Sequence, residues 1–189
     1  MNIVVFASGS GTTLQSIIDN INSGVLKSHI LLVVSDRPNA YALTRAKENG
    51  INTYVIKSTG TDKVDEELVA ALKPYDVDLI VLAGYLKLIG PKLIKNYTII
   101  NTHPALLPKF GGRGMYGMNV HRAVVAAKER HSGATLHFVN ENYDEGDIIR
   151  QVKVAVAPTD TPEIVSQKVQ TAEKIQLVEE LHRFESKYY

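Results

Sequence analysis

Two unbroken apolar runs, HILLVVS from His29 to Ser35 and VDLIVLA from Val77 to Ala83, constrain the fold more than anything else in the chain. A strand without polar alternation has both faces covered, as in a parallel sheet flanked by helices on either side. Helical patterns lie between the runs. NIVVFA opens the chain and precedes a helix with Leu14, Ile17, Ile18 and Ile21 on one face, and HILLVVS precedes a helix from about Tyr41 to Asn49. NTYVIK then precedes a helix carrying Val64, Leu68 and Leu72, with VDLIVLA and YTIIN after it. This βαβα order predicts an α/β fold on an open, doubly wound, mostly parallel sheet.

The second half changes character. GATLHFVN and DIIRQVKVAVAP alternate apolar with polar residues and are separated by the turn-like ENYDEGD, which predicts an antiparallel pair. PKFGGRGMYGM holds too many glycines for regular structure; it predicts a mobile loop over residues 111–117 that could serve as a lid, before a short helix from Asn119 to about Lys128. TDTPEIV starts a long C-terminal helix, with Thr161 as N-cap, Pro162 at the first helical position, and Val165, Val169 and Ala172 as its apolar stripe. No repeat or linker divides the 189 residues, and 44% hydrophobic content suffices for one core, so a single domain over 1–189 is expected.

A formal charge of +1 supplies no global field to recruit nucleic acid or an anionic membrane. The longest apolar stretch is broken by Gly84 and Lys87, so no membrane span is expected, and neither is an export signal. Without cysteine there is no disulfide framework, thiolate nucleophile or thiolate-bound zinc, which fits a reducing, cytoplasmic setting. His103, His121, His131 and His137 lack metalloprotease spacing, and no metal is expected.

SGSGTTL, Ser8 to Leu14, falls between the first strand and the first helix, where free backbone N–H groups and the helix dipole attract an anion. Gly9 and Gly11 let a phosphate approach the backbone; a capping box of Thr12 with Gln15 would compete for the same donors. A dinucleotide fingerprint would need glycine where Leu14 stands, so one phosphate of a smaller ligand fits better, and Asp36 reads as a cap or turn residue rather than a ribose contact.

In TIINTHP the two-residue strand period turns Asn101 and His103 the same way, at the carboxyl end of a strand, where open α/β sheets place their ligand crevice. A histidine there needs a partner to set its protonation. Asp144 in the late turn is the candidate, although spacing leaves Glu141, Glu145 and Asp147 open as well.

NTHPALLPKF resembles the Asn-x-His-Pro-Ser/Ala-Leu-Leu-Pro signature of folate-dependent formyltransferases, and VVFASGSGTTLQSI, LAGYLKLI, GATLHFV and VQTAE follow that family's order from Asn2 to about Leu181. The resemblance implies a Rossmann-like formyltransferase fold, and transfer of a formyl group from 10-formyltetrahydrofolate to the amine of 5-phosphoribosylglycinamide in purine biosynthesis. It implies a co-substrate folate but no bound cofactor, small-molecule partners only, and a monomer or homodimer. By motif, Asn101, His103 and Asp144 would be catalytic. Gly11, Thr12 and Thr13 would hold the ribonucleotide phosphate, with Gln170, Thr171, Ala172 and Glu173 at its ribose. Leu86, Lys87, Leu88 and Ile89, together with Asn101, Asn140, Glu141, Asn142, Tyr143 and Asp144, would line the folate pocket. Residues 1–100 or so would thus be the phosphate-binding part and about 101–189 the catalytic and folate-binding part.

Lys87 stands where relatives commonly carry Arg, and Thr61 where some carry a base, so Lys63 would have to meet the folate tail instead. KIQL after Glu173 departs from the family pattern and predicts different packing of the last helix. Two other readings remain: a formyltransferase for another amine, such as an amino sugar nucleotide, and a nucleotide-binding module without catalysis.

Overall fold

The computed structural model describes residues 1–187. Seven strands form one sheet: β1 (Asn2–Phe6), β2 (His29–Ser35), β3 (Thr53–Val55), β4 (Leu79–Leu82), β5 (Ile99–His103), β6 (His131–Phe138) and β7 (Ile148–Ala155). Their spatial order is β3-β2-β1-β4-β5-β6-β7. The first five run parallel, and β6 and β7 are antiparallel additions at one edge. Order reverses between β1 and β4, the switch point at which a ligand crevice opens beyond the carboxyl ends of the strands.

Helices α1 (Thr12–Asn22), α2 (Tyr41–Glu48), α3 (Thr61–Leu72), α4 (Pro91–Asn96), α5 (Met118–Ala126) and α6 (Pro162–Glu185) complete the chain. The strand period sorts β1 into two cores. Ile3 and Val5 face Leu14, Ile17 and Ile18 of α1 and Leu177 and Leu181 of α6, while Val4 and Phe6 face Leu68 and Leu72 of α3 and Leu93 of α4.

Three details depart from the sequence reading. The capping box is not formed: Gly11, left-handed at φ 70°, is the N-cap of α1 without a side-chain cap bond, and Gln15 donates to Asp19 at 2.8 Å instead. Helix α4 was not legible, because it has only six residues and its cap is remote; buried Asp65 of α3 accepts from the N–H groups of Lys92 and Leu93 at 2.7 and 2.9 Å. Thr161 caps α6 with a 3.4 Å bond from Ile164 N–H, but the buried face of α6 runs through Val165, Val169, Glu173, Leu177 and Leu181, and Ala172 lies at its margin.

Candidate active site

A cavity of about 640 Å³ opens at the switch point. It runs from the glycine loop after β1 and the loop after β4, past the end of β5, to α6. The first two loops are tied together. Ser8 N–H donates to the Gly84 carbonyl at 3.0 Å, and the Ser8 hydroxyl accepts from Leu86 N–H at 3.0 Å. At the glycine loop the first turn of α1 presents N–H groups that no side chain caps. Arg45 of α2 holds that loop by donating from Nε to the Ser10 carbonyl at 2.8 Å.

The antiparallel register of β5 on β6 sets Asn101 opposite His137 and His103 opposite Thr135. Thr135 fixes the turn after β5: its hydroxyl donates to Ala105 O at 2.6 Å and accepts from Leu107 N–H at 3.1 Å. Asp144 arrives from the β6–β7 connection in a left-handed conformation, φ 58°. Its Oδ2 lies 3.4 Å from His103 Nδ1 and accepts from Gly112 N–H at 2.9 Å, and its Oδ1 lies 3.6 Å from His137 Nε2. Burial works to raise the Asp144 pKa, but the bond from His103, the charge on that ring and the Gly112 N–H overcome it and hold the carboxyl well below the usual range.

His103 Nε2 is 2.8 Å from the Phe110 carbonyl while Nδ1 faces Asp144, so both ring nitrogens meet oxygens that can only accept. His137 Nδ1 donates to the Phe138 carbonyl at 2.8 Å. Asn101 Nδ2 lies 3.0 Å from His137 Nε2, an arrangement that suits a neutral His137 accepting from the Asn101 amide and leaves that amide one N–H for the cavity.

Of the residues expected from sequence, Gly11, Thr12, Thr13, Leu86, Lys87, Leu88, Ile89, Asn101, His103, Asn140, Asn142, Tyr143, Asp144, Gln170 and Glu173 line the cavity. Glu141, Thr171 and Ala172 do not. On α6 a helical face holds Ser166, Gln170 and Glu173, and a rotation of 100° per residue turns Thr171 and Ala172 away from it; the Thr171 hydroxyl is spent on Gln167 O at 3.0 Å. Nor do Asp36, Thr61 and Lys63 reach the cavity, whereas Gly112 to Gly117 of the glycine-rich loop border it and contribute Arg113 and Tyr116. The sequence reading missed Ser166, which the α6 period would have found four residues before Gln170.

A match to the formyl transferase family covers residues 1–181. The chain belongs to that family. It is 34% identical over 178 residues to the phosphoribosylglycinamide formyltransferase of Escherichia coli, covering 92% of this chain and 82% of that protein. The chloroplastic phosphoribosylglycinamide formyltransferase of Arabidopsis thaliana is 40% identical over 173 residues, 88% of this chain. The chain spans 59% of that plant relative and 55% of the one from Vigna unguiculata. The crystal structure of phosphoribosylglycinamide formyltransferase from Bacillus halodurans superposes with a TM-score of 0.92 at 33% identity, over 100% of this chain and 97% of that one. No helix among the described residues is long and apolar enough to cross a membrane.

Glu173 gives this family member a pH-dependent stability. Burial raises its carboxyl to about 7, against smaller lowering effects of the bond from Thr13 and of the Lys174 and His103 charges. The folded chain therefore keeps a proton that the unfolded chain releases near pH 4.3, and stability falls as pH rises from there through 7. Glu173→Gln keeps an oxygen for the Thr13 hydroxyl, now 3.3 Å away, without that ionisation. It is expected to stabilise the protein at pH 8 by on the order of 2 kcal/mol, several degrees in Tm, with no gain at pH 4. Thermal melts of both proteins at the two pH values check this.

Proposed function

We propose that this chain transfers the formyl group of 10-formyltetrahydrofolate to the amine of 5-phosphoribosylglycinamide. One observation carries the reading: an amide, an imidazole with an acceptor oxygen at each ring nitrogen, and a carboxylate from separate segments converge in a cavity continuous with a phosphate-type loop. The relatives from Arabidopsis thaliana and Escherichia coli, both phosphoribosylglycinamide formyltransferases, favour the ribonucleotide as acceptor. We assign the phosphate site to about the first hundred residues and the catalytic and folate-binding part to the rest, with Leu86 to Ile89 reaching across that line into the same cavity.

The ribonucleotide supplies the nucleophile. A free α-amino group has a pKa of about 8, so roughly a tenth is neutral near pH 7, and the barrier lies in the oxyanion formed when it attacks the amide-like formyl carbon. Two donors suit that oxygen: the free N–H of Asn101 and the His103 Nε2–H, once the Phe110 carbonyl gives way to the substrate oxygen. Each such donor contributes about 3 kcal/mol in comparable sites. Asp144 keeps His103 charged and relays a proton from the attacking ammonium towards the departing folate nitrogen, directly or through water. No step calls for a metal. The phosphate would sit on the N–H groups of Gly11, Thr12 and Thr13, the ribose diol on Glu173 with Gln170 beside it, and the pterin against Leu86 to Ile89 and the Asn140–Asp144 turn. Holding both reactants in line supplies the rest of the rate.

Lys87 and Arg113, the Lys and Arg side chains that line the cavity, replace Lys63 in our reading of the folate tail contacts. Cytoplasm remains our assignment of compartment, resting on the cysteine-free composition. The test is an assay of purified protein with 10-formyltetrahydrofolate and a set of amines, following deformylated folate and acceptor mass together. Formylated ribonucleotide is the expected product. Folate release without acceptor would make the chain a hydrolase, formylation of an amino sugar nucleotide alone would change the acceptor, and no turnover would leave a binding module.

A further inference from the structure

His121 is a buried histidine on the cavity wall that the mechanism above leaves unused. It sits on α5, 2% exposed, and lines the cavity. Its Nδ1 is enclosed by protein and has no hydrogen-bond partner, so the ring reaches the cavity by its other edge, the one that carries Nε2. A sealed lone pair is cheaper than a sealed, orphaned N–H, which puts the proton of the neutral ring on Nε2. Burial lowers the affinity of the ring for a second proton, and the neighbouring His103 charge lowers it further. His121 is therefore a neutral donor aimed at the cavity and a poor base.

A neutral N–H donor seeks a neutral oxygen. The position of His121 narrows the choice: it is close enough to His103 to feel its charge, and its helix packs on α6, whose Ser166, Gln170 and Glu173 line the ribose side. Between the ribose and the reacting amine of the ribonucleotide lies one group, an amide. We propose that His121 Nε2–H donates a hydrogen bond to the amide carbonyl oxygen of the acceptor, positioning the amine over the formyl carbon. This rests on the reading of the acceptor given above. Gly11 to Thr13 would fix the phosphate end of the acceptor, Glu173 its ribose and His121 its amide, and Asn101 with His103 would meet the oxygen of the carbon it attacks.

His121→Leu removes the donor at similar volume, and His121→Gln returns an N–H near the place of Nε2. The Leu variant is expected to lose roughly 10- to 100-fold in kcat/KM for the ribonucleotide, with KM for the folate unchanged within two-fold, and the Gln variant to recover most of the loss. An acceptor whose amide carbonyl is replaced by a methylene should be used equally well by wild type and His121→Leu. Melting temperatures of all three proteins exclude a folding defect, and the pH–rate profile should keep its shape. The proposal is overturned if the Leu variant keeps wild-type kcat/KM, if it loses the same factor with the methylene acceptor, or if a limb of the pH profile disappears. Failure of wild type to formylate the ribonucleotide at all would instead remove the reading beneath it.

Discussion

Asp144→Asn is expected to cut kcat by roughly a thousandfold with both substrates saturating, while the protein folds and binds them nearly as before. The substitution keeps the shape and an oxygen for the Gly112 N–H that Asp144 now accepts at 2.9 Å. What it removes is the charge. His103 Nδ1, 3.4 Å from that carboxylate, would face an amide that cannot hold its second proton, and the ring would revert to one N–H. Phe110 O would then compete with the substrate oxygen for that single proton. The relay towards the folate nitrogen disappears as well. His137, 3.6 Å from the other oxygen, does not replace it, because its ring is oriented by the Phe138 carbonyl and Asn101. Steady-state kinetics with substrate saturation, alongside a thermal melt, decide the matter: near wild-type kcat in a well-folded Asp144→Asn protein would end the assignment.

Gly11→Val is expected to act at the opposite end of the cavity and on a different quantity. A Cβ at Gly11 would lie 2.7 Å from both Cα and Cβ of Ala42, and the backbone there has φ 70°, where a β-branched residue is strongly disfavoured. Helix α2 cannot retreat without releasing the Ser10 carbonyl from Arg45 and the Ala42 N–H from Gly9 O, at 2.8 and 3.1 Å. The loop must therefore move. Stability should fall by about 3 kcal/mol, and ribonucleotide affinity by at least a hundredfold as the N–H groups lose their common aim. Gly9→Ala is the control for folding, since a Cβ there meets nothing within 4 Å; its stability should stay within about 0.5 kcal/mol of wild type. Calorimetric titration with the ribonucleotide, and melts of both variants, test the pair. Wild-type affinity in Gly11→Val would dismiss the phosphate site.

The sheet was legible because its cause is local. Unbroken apolar runs can be satisfied only between two layers of helices, and the alternation of β7 only at a half-covered edge; β6 alternates as well, yet it is buried throughout from Ser132 to His137. Asn101 and His103 were legible for the same reason, since a period of two is a property of any strand. Asp144 was not. Spacing left Glu141, Glu145 and Asp147 equally open, and only the left-handed turn at Asp144 carries its carboxylate back under both histidines; the family motif stood in for that geometry. Helix α4 was missed for the converse reason, as its cap comes from Asp65, which no local pattern links to Lys92. Thr12 illustrates a local rule overridden, because Gly11 takes the cap position and leaves Thr12 and Thr13 to the cavity. His121, weighed in the sequence only as a metal ligand, acquires meaning from burial that α5 alone does not encode.

The pairing of β5 with β6 sets a limit on how this protein can change. Asn101 faces His137, and His103 faces Thr135, across rungs of a single ladder, so the spacing of the reacting groups is as stiff as the strand register and cannot be tuned one residue at a time. A one-residue insertion in β6 would carry His137 and Thr135 to the wrong side of the sheet together. The connections after β1 and β4 and the glycine-rich segment answer to no such ladder, and new acceptors or donors can be accommodated there while the chemistry stays where the strands put it.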